Sequence, residues 1–348
     1  MRDFTYQSLP MHVIFRSGSA ADLRSELQKL GLSRVVVLST PFEALLATQL
    51  SAPLEETRAG LYPKAAQHVP AEVAAEAWEF AQAVGADGFV TVGGGSSTGL
   101  GKAIALRSDL PVVSVPTTYA GSEMTTIWGT TENGEKKTGR DIRVLPKAVI
   151  YDPLLTLSLP TAISVTSGFN AIAHAVEGLY APDASPITGL MAADGIRSLV
   201  QALPLIVQDN ADIAARSDAL YGAWLCGATL GATTMGLHHK LCHVLGGTFN
   251  MPHAETHTVV LPYVMRFNQS AALGQLQEAT GFHDPAHGIR ELSVALGAPR
   301  SLRELGLTED AIEQVVRLAT ASPYANPVPI EPSDVHRILS DAFEGTEV

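Results

Sequence analysis

The sequence predicts an α/β domain with a Rossmann-like parallel sheet over residues 1–157 and an all-helical domain over residues 158–348. Three observations predict it. Short β-branched runs alternate with helical stretches up to about residue 155, the pattern of parallel strands joined by crossover helices. Strand signals vanish after Pro160, where long stretches of helical periodicity take over. The 348 residues are enough for two separate cores.

Residues 34–39 (RVVVLS) form a continuous apolar run, so they read as a strand buried on both faces. Residues 72–84 have alanine-rich helical periodicity. The next strand, 88–92 (GFVTV), runs into Gly93-Gly94-Gly95-Ser96-Ser97, and a helix follows over 98–106. A further strand at 110–115 (LPVVSV) leads to Pro116-Thr117-Thr118, and 148–151 (AVIY) stops at the turn residues Asp152-Pro153. In the second half, 164–180, 186–203, 212–230 and 235–245 read as helices, with more near Ala271, Ile289 and Asp310.

Composition narrows the function. A net charge of −12 argues against nucleic acid, which needs a basic footprint, and obliges an anionic substrate to find its cations locally. No apolar run approaches the ~18 residues of a membrane span, and the first ten residues lack the apolar core of a signal peptide. The expected compartment is therefore the cytoplasm, with no membrane partner. Two cysteines, Cys226 and Cys242, are expected as free thiols, Cys242 as a small apolar filler.

Two places carry chemistry. A glycine run between a strand and a helix lets backbone N–H groups approach a phosphate, and the helix N-terminus adds partial positive charge. Taken alone, that run serves equally well as a tight turn. The second loop, Pro116-Thr117-Thr118-Tyr119-Ala120-Gly121-Ser122, stands at the next strand end, and the pair favours a nucleotide held by Gly94, Gly95, Ser96, Ser97, Thr117, Thr118 and Ser122. The other place is residues 235–257, which gather His238, His239, His243, His253 and His257. His239 and His243 are four apart and project together from a helix whose opposite stripe is Leu237, Leu241 and Val244. Any one of these histidines is better read as a satisfied core residue. The cluster, followed by Gly246-Gly247, is better read as a site lining a cleft.

These loops and the histidine stretch resemble the iron-containing alcohol dehydrogenase family, which shares its architecture with dehydroquinate synthase. The matching motifs are Gly93 to Ser96, Pro116 to Thr118 with Ser122-Glu123, Asn170 with His174, and His239, His243 and His253. Within that family, PTTYAGSEMT, SGFNAIAHAVEGLYA and HHKLCHVLGGTFNMPHAETH resemble the maleylacetate reductase subgroup. That resemblance implies NADH- or NADPH-dependent reduction of the 2,3 double bond of maleylacetate to 3-oxoadipate in aromatic-compound degradation. It also implies a homodimer acting on a small dicarboxylate.

Three departures from the wider family matter. Asn170 stands where the dehydrogenases have an aspartate metal ligand, and losing an anionic donor weakens Fe²⁺ or Zn²⁺ binding, so no metal is expected to be required. Gly99 replaces the aspartate of the family's glycine loop. Ser39-Thr40 replaces the aspartate that reads the ribose in NAD-preferring relatives, so NADPH is expected to be tolerated beside NADH, with Thr40 at the cofactor.

The chemistry then needs an oxyanion stabiliser, a proton donor and anchors for two carboxylates. His243 matches the family's non-ligand catalytic histidine and is the leading proton donor. His174, His239 and His253 are expected to donate hydrogen bonds to substrate oxygens. Asn170, Tyr119 and Lys240 are candidates for binding substrate, with Lys137 and Arg140 behind them, while His238 and His257 are expected to be structural. The competing enzyme reading is a metal-dependent alcohol or aldehyde oxidoreductase on the same fold. Outside catalysis, the rival is a nucleotide-binding scaffold.

Overall fold

The computed structural model describes residues 3–132 and 135–348. The chain divides into two compact units, Leu9–Leu159 and Pro160–Val348, the segment ending at Ser8 grouping with the second.

The α/β unit runs β1 (Val13–Phe15), α1 (Leu23–Lys29), β2 (Val35–Leu38), α2 (Ala44–Ser51), β3 (Arg58–Tyr62), α3 (Ala71–Ala83), β4 (Gly88–Gly93), α4 (Gly95–Ser108) and β5 (Val112–Pro116). A hairpin, β6 (Ile127–Glu132) with β7 (Glu135–Arg140), precedes β8 (Ala148–Tyr151). Six strands form one sheet in the order β1-β8-β5-β4-β2-β3, every pairing parallel. From β2 the chain steps outward to β3, returns to β4 on the other side of β2, and continues through β5 to β8. That reversal leaves a crevice at the carboxyl ends of β2 and β4, the place where open α/β sheets bind ligands.

The unbroken VVVL of β2 has its reason in the two layers that cover it. Val36 and Leu38 pack with Ala74 and Ala77 of α3 and Leu100 and Ile104 of α4. Val35 and Val37 pack with Leu23 and Leu27 of α1 and Ala47 of α2. Each such side chain contributes ~1.5–3 kcal/mol on burial, so no position in the strand tolerates a polar residue cheaply. The strand expected at 110–115 is Val112–Pro116, and the helix after the glycines starts at Gly95 rather than 98. Sequence reasoning missed β3 and the hairpin, which are respectively interrupted by Gly60 and rich in polar residues.

The helical unit comprises α5 (Thr161–Tyr180), α6 (Pro186–Gln208), α7 (Ile213–Ala232), α8 (Leu237–Phe249), α9 (His253–Asn268), α10 (Leu273–Thr280), α11 (Pro285–Ala295), α12 (Ala311–Thr320) and α13 (Pro332–Glu344). Every residue of α5 from Ser164 to Tyr180 is buried, as befits a central helix, and α6, α7 and α9 pack on it. By length and mean hydropathy of 1.4, α6 could cross a membrane; here it packs one face, with Ile196, Leu199 and Leu203 buried, on its neighbours. Sequence reasoning missed α9, a helix that carries Pro262 inside it, and ended α8 four residues early. Gly246 and Gly247 are therefore inside α8, not in a loop after it.

Candidate active site

In the α/β unit, β4 ends on Gly93 with φ +136°, a conformation that other residues rarely adopt. A Cβ on Gly94 would come within 2.8 Å of the Thr118 side chain, so glycine at 94 is what lets the two loops touch. Thr117 N donates to Gly93 O at 3.2 Å. Ser96 and Ser97 occupy the first turn of α4, and the Ser97 hydroxyl is buried without a hydrogen-bond partner. A helix N-terminus of this kind, bare of side-chain caps, suits a phosphate group. Gly94, Gly95, Ser96, Ser97, Thr117 and Thr118 thus meet at one edge of the sheet.

Sequence reasoning missed Lys102. It is 1% exposed, and its Nζ donates to Ser122 O (2.5 Å), Thr125 O (2.8 Å), Thr125 Oγ1 (2.8 Å) and Ile127 O (2.8 Å). Burial drags its ammonium down to about 7, against the opposing pull of the Glu123 charge. Ser122, expected at the cofactor, therefore gives its carbonyl to this staple. The ring of Tyr119, expected at the substrate, is fully buried in the unit. Lys137 pairs with Glu132 across the hairpin at 2.6 Å. Thr40 lies just past β2, and its hydroxyl donates to the Glu43 carboxylate, which approaches Thr117 Oγ1 at 3.5 Å. The premise that no carboxylate stands at this strand end is thereby corrected: Glu43, the N-cap of α2, brings one back from three residues further on.

The helical unit gathers six histidines. One face of α5 carries Asn170, His174 and Glu177, spaced one and two turns apart. Glu177, also missed, is buried with zero side-chain exposure and accepts from His239 Nδ1 at 2.7 Å. It further accepts from the backbone N–H groups of Gly236 (3.0 Å), His238 (2.9 Å) and His239 (3.3 Å). Burial alone would raise its carboxyl, but the hydrogen bonds from the His239 ring and the His238 backbone N–H hold it below its ordinary value. A carboxylate only accepts, so His239 carries its proton on Nδ1 and, when neutral, accepts at Nε2. His174 Nδ1 lies 2.8 Å from that Nε2 and, with His239 neutral, is the donor of the pair. His174 Nε2 is then left with a lone pair facing Asn170 Nδ2 at 3.4 Å.

This order changes the expected roles. His239 uses both ring nitrogens inside the protein, and His174 faces His239 through Nδ1 and Asn170 through Nε2. His243 and His253 are exposed, with the His239 and His243 ring centroids 6.0 Å apart. His253 opens α9, and its ring lies tilted against that of His257 with centroids 4.4 Å apart. Behind them His238 Nε2 and His257 Nδ1 share a proton at 2.9 Å. Burial holds His238 down at about 3 and His257 well below its ordinary value, so both rings are neutral. Cys242 packs into the apolar core of α8, α9, α12 and α13, as a filler would. Lys240 Nζ sits 5.8 Å over the Tyr324 ring.

The family's metal positions fit a cation poorly in this chain. Asn170 offers a neutral oxygen, buried and unpartnered, where a carboxylate would be needed. The facing nitrogens of His174 and His239 are joined by a proton, and the His253 ring is exposed. Among the described residues, the three metal-ligating side chains that do converge, within 4.8 Å, are His238, Cys242 and His257. The hydrogen bond between the two rings already accounts for their closeness.

Comparison with known proteins agrees with this architecture. The model of the iron-containing alcohol dehydrogenase family matches residues 10–153, and that of the family's C-terminal region matches residues 164–343. A maleylacetate reductase of Sphingobium indicum is 52% identical over 98% of both chains, and one of Burkholderia cepacia is 50% identical over 99% of both. The crystal structure of maleylacetate reductase from Agrobacterium tumefaciens superposes with a TM-score of 0.95 over the whole of both chains, at 49% identity. The chain belongs to the iron-containing alcohol dehydrogenase family.

Proposed function

We propose that this chain reduces maleylacetate to 3-oxoadipate with a nicotinamide nucleotide as hydride donor and without an obligatory metal. Relatives of that name at about half identity supply the substrate. The glycine and threonine loops of the α/β unit are assigned to the nucleotide, and the exposed histidines of the helical unit to the substrate.

Maleylacetate carries a carbon–carbon double bond conjugated to a ketone. Hydride delivered to C2 moves the π electrons toward the ketone, giving an enolate, and a proton added at C3 completes the reduction. The negative charge of an enolate is delocalised and less basic than the alkoxide of a simple ketone reduction, so hydrogen-bond donors can stabilise it. His243, exposed and next to the ordered His239 ring, is assigned the proton or the enolate oxygen, with His253 and Asn170 Nδ2 as further donors. The observation that carries the mechanism is the chain from Glu177 through His239 and His174 to Asn170, which fixes the rings by protons alone. The homodimer implied by family resemblance belongs to the same reading, and light scattering giving one chain mass would remove it.

The test is NADH oxidation by the purified protein with maleylacetate. His243→Ala should lower kcat by about 10²- to 10⁴-fold while nucleotide binding survives. Near-normal turnover would remove His243 from the mechanism. No NADH oxidation by the unaltered protein would end the functional reading.

A further inference from the structure

Resting on the assignment of the α/β unit to a nicotinamide nucleotide, we infer that Glu43 selects NADH over NADPH. The crevice at the carboxyl ends of β2 and β4 is where a parallel sheet of this order receives the adenosine half of a dinucleotide. There an acidic side chain favours the ribose diol, and a 2′-phosphate needs a cation. Glu43 stands in that crevice. One carboxylate oxygen takes the Thr40 hydroxyl, just past β2. The other lies 3.5 Å from Thr117 Oγ1, just past β5, and 3.2 Å from where a Cβ on Gly93 would sit, at the end of β4. Its charge therefore covers three strand ends and the first glycine of the phosphate loop.

Among the described residues Glu43 has no ion-pair partner, and its side chain is only half-buried. A diol can donate to it. A 2′-phosphate meets an unneutralised negative charge at the place where it would have to bind. The position differs from the usual one by three residues, since Thr40 occupies the strand end and Glu43 reaches it from the N-cap of α2.

The experiment compares kcat/KM for NADH and NADPH in the unaltered protein, in Glu43→Gln, which keeps the shape without the charge, and in Glu43→Asp. The unaltered protein should favour NADH, and Glu43→Gln should shift the ratio toward NADPH by about tenfold or more, the scale of one like-charge contact. Glu43→Asp should keep the preference for NADH. Competition in the unaltered protein gives a second readout that needs no variant: ADP should inhibit more strongly than its 2′-phosphorylated analogue. Equal inhibition, or a ratio that Glu43→Gln leaves unchanged, would overturn the inference while leaving the cofactor assignment standing. Failure of the unaltered protein to bind either nucleotide would overturn both.

Discussion

Glu177 decides which nitrogen of His239 holds a proton, and through His239 which nitrogen of His174 does. Replacing it with glutamine offers a donor as well as an acceptor at the same place, so the proton order along His239, His174 and Asn170 is no longer fixed. Glu177→Gln should lower kcat by between about 10²- and 10⁴-fold, the range over which an imidazole in the wrong tautomer loses activity. Nucleotide KM should stay the same, because the loops assigned to the nucleotide belong to the other unit. A fall in nucleotide affinity with kcat intact would contradict the assignment. His238 and His257 are a different case: buried, neutral and bonded to each other, they supply packing behind the rings that face outward.

At the scale of elements, α8 starts where Glu177 accepts its first N–H groups. The N-cap is Gly236, which has no side chain to do this, so α5 supplies the capping oxygen. A Cβ on Gly236 would lie 2.9 Å from Ala325 O and 3.1 Å from Glu177 Oε1. Gly236→Ala should therefore push the capping carboxylate away, costing about 1–3 kcal/mol in stability and lowering kcat together. Unchanged thermal unfolding with full activity would show that the close approach is unimportant. In the α/β unit, α4 holds the 122–127 loop through Lys102. Its folded value of about 7 lies below the ordinary 10.5, so between those pH values the unfolded chain keeps a proton that the folded chain has shed. Stability from this group is then complete above pH 10.5 and is lost as pH falls through about 7. The destabilisation caused by Lys102→Met should accordingly grow from pH 7 to pH 10 in thermal unfolding. A loss that shrinks over that range would reverse the sign of the argument.

At the scale of the molecule, the division into an α/β half and a helical half was legible because β-branched runs alternate with helical stretches only up to about residue 155, and strand signals vanish beyond Pro160. The two loops and the histidine window were legible for a similar reason: glycine after a strand and histidines four apart have few other uses in such numbers. Glu177, Lys102 and Glu43 were not. A single charged residue inside an otherwise ordinary helix or turn gives no periodic signal, and only the fold shows that Glu177 faces α8 or that Glu43 turns back across three strand ends. Helix α9, with Pro262 in its interior, has a residue that helix interiors ordinarily exclude. The expectation that His174 and His239 face a substrate did not foresee that Glu177 takes the Nδ1 proton of His239 and that the other nitrogen of His239 faces His174 Nδ1.

The central claim is that imidazoles and an amide, ordered by one buried carboxylate, do the work that a metal does elsewhere in the family. The direct measurement is turnover of maleylacetate by protein treated with a strong chelator, with bound metal quantified on the same sample. Undiminished turnover at substoichiometric iron and zinc is the predicted result. Activity that disappears with the metal and returns on adding Fe²⁺ or Zn²⁺ would contradict the account.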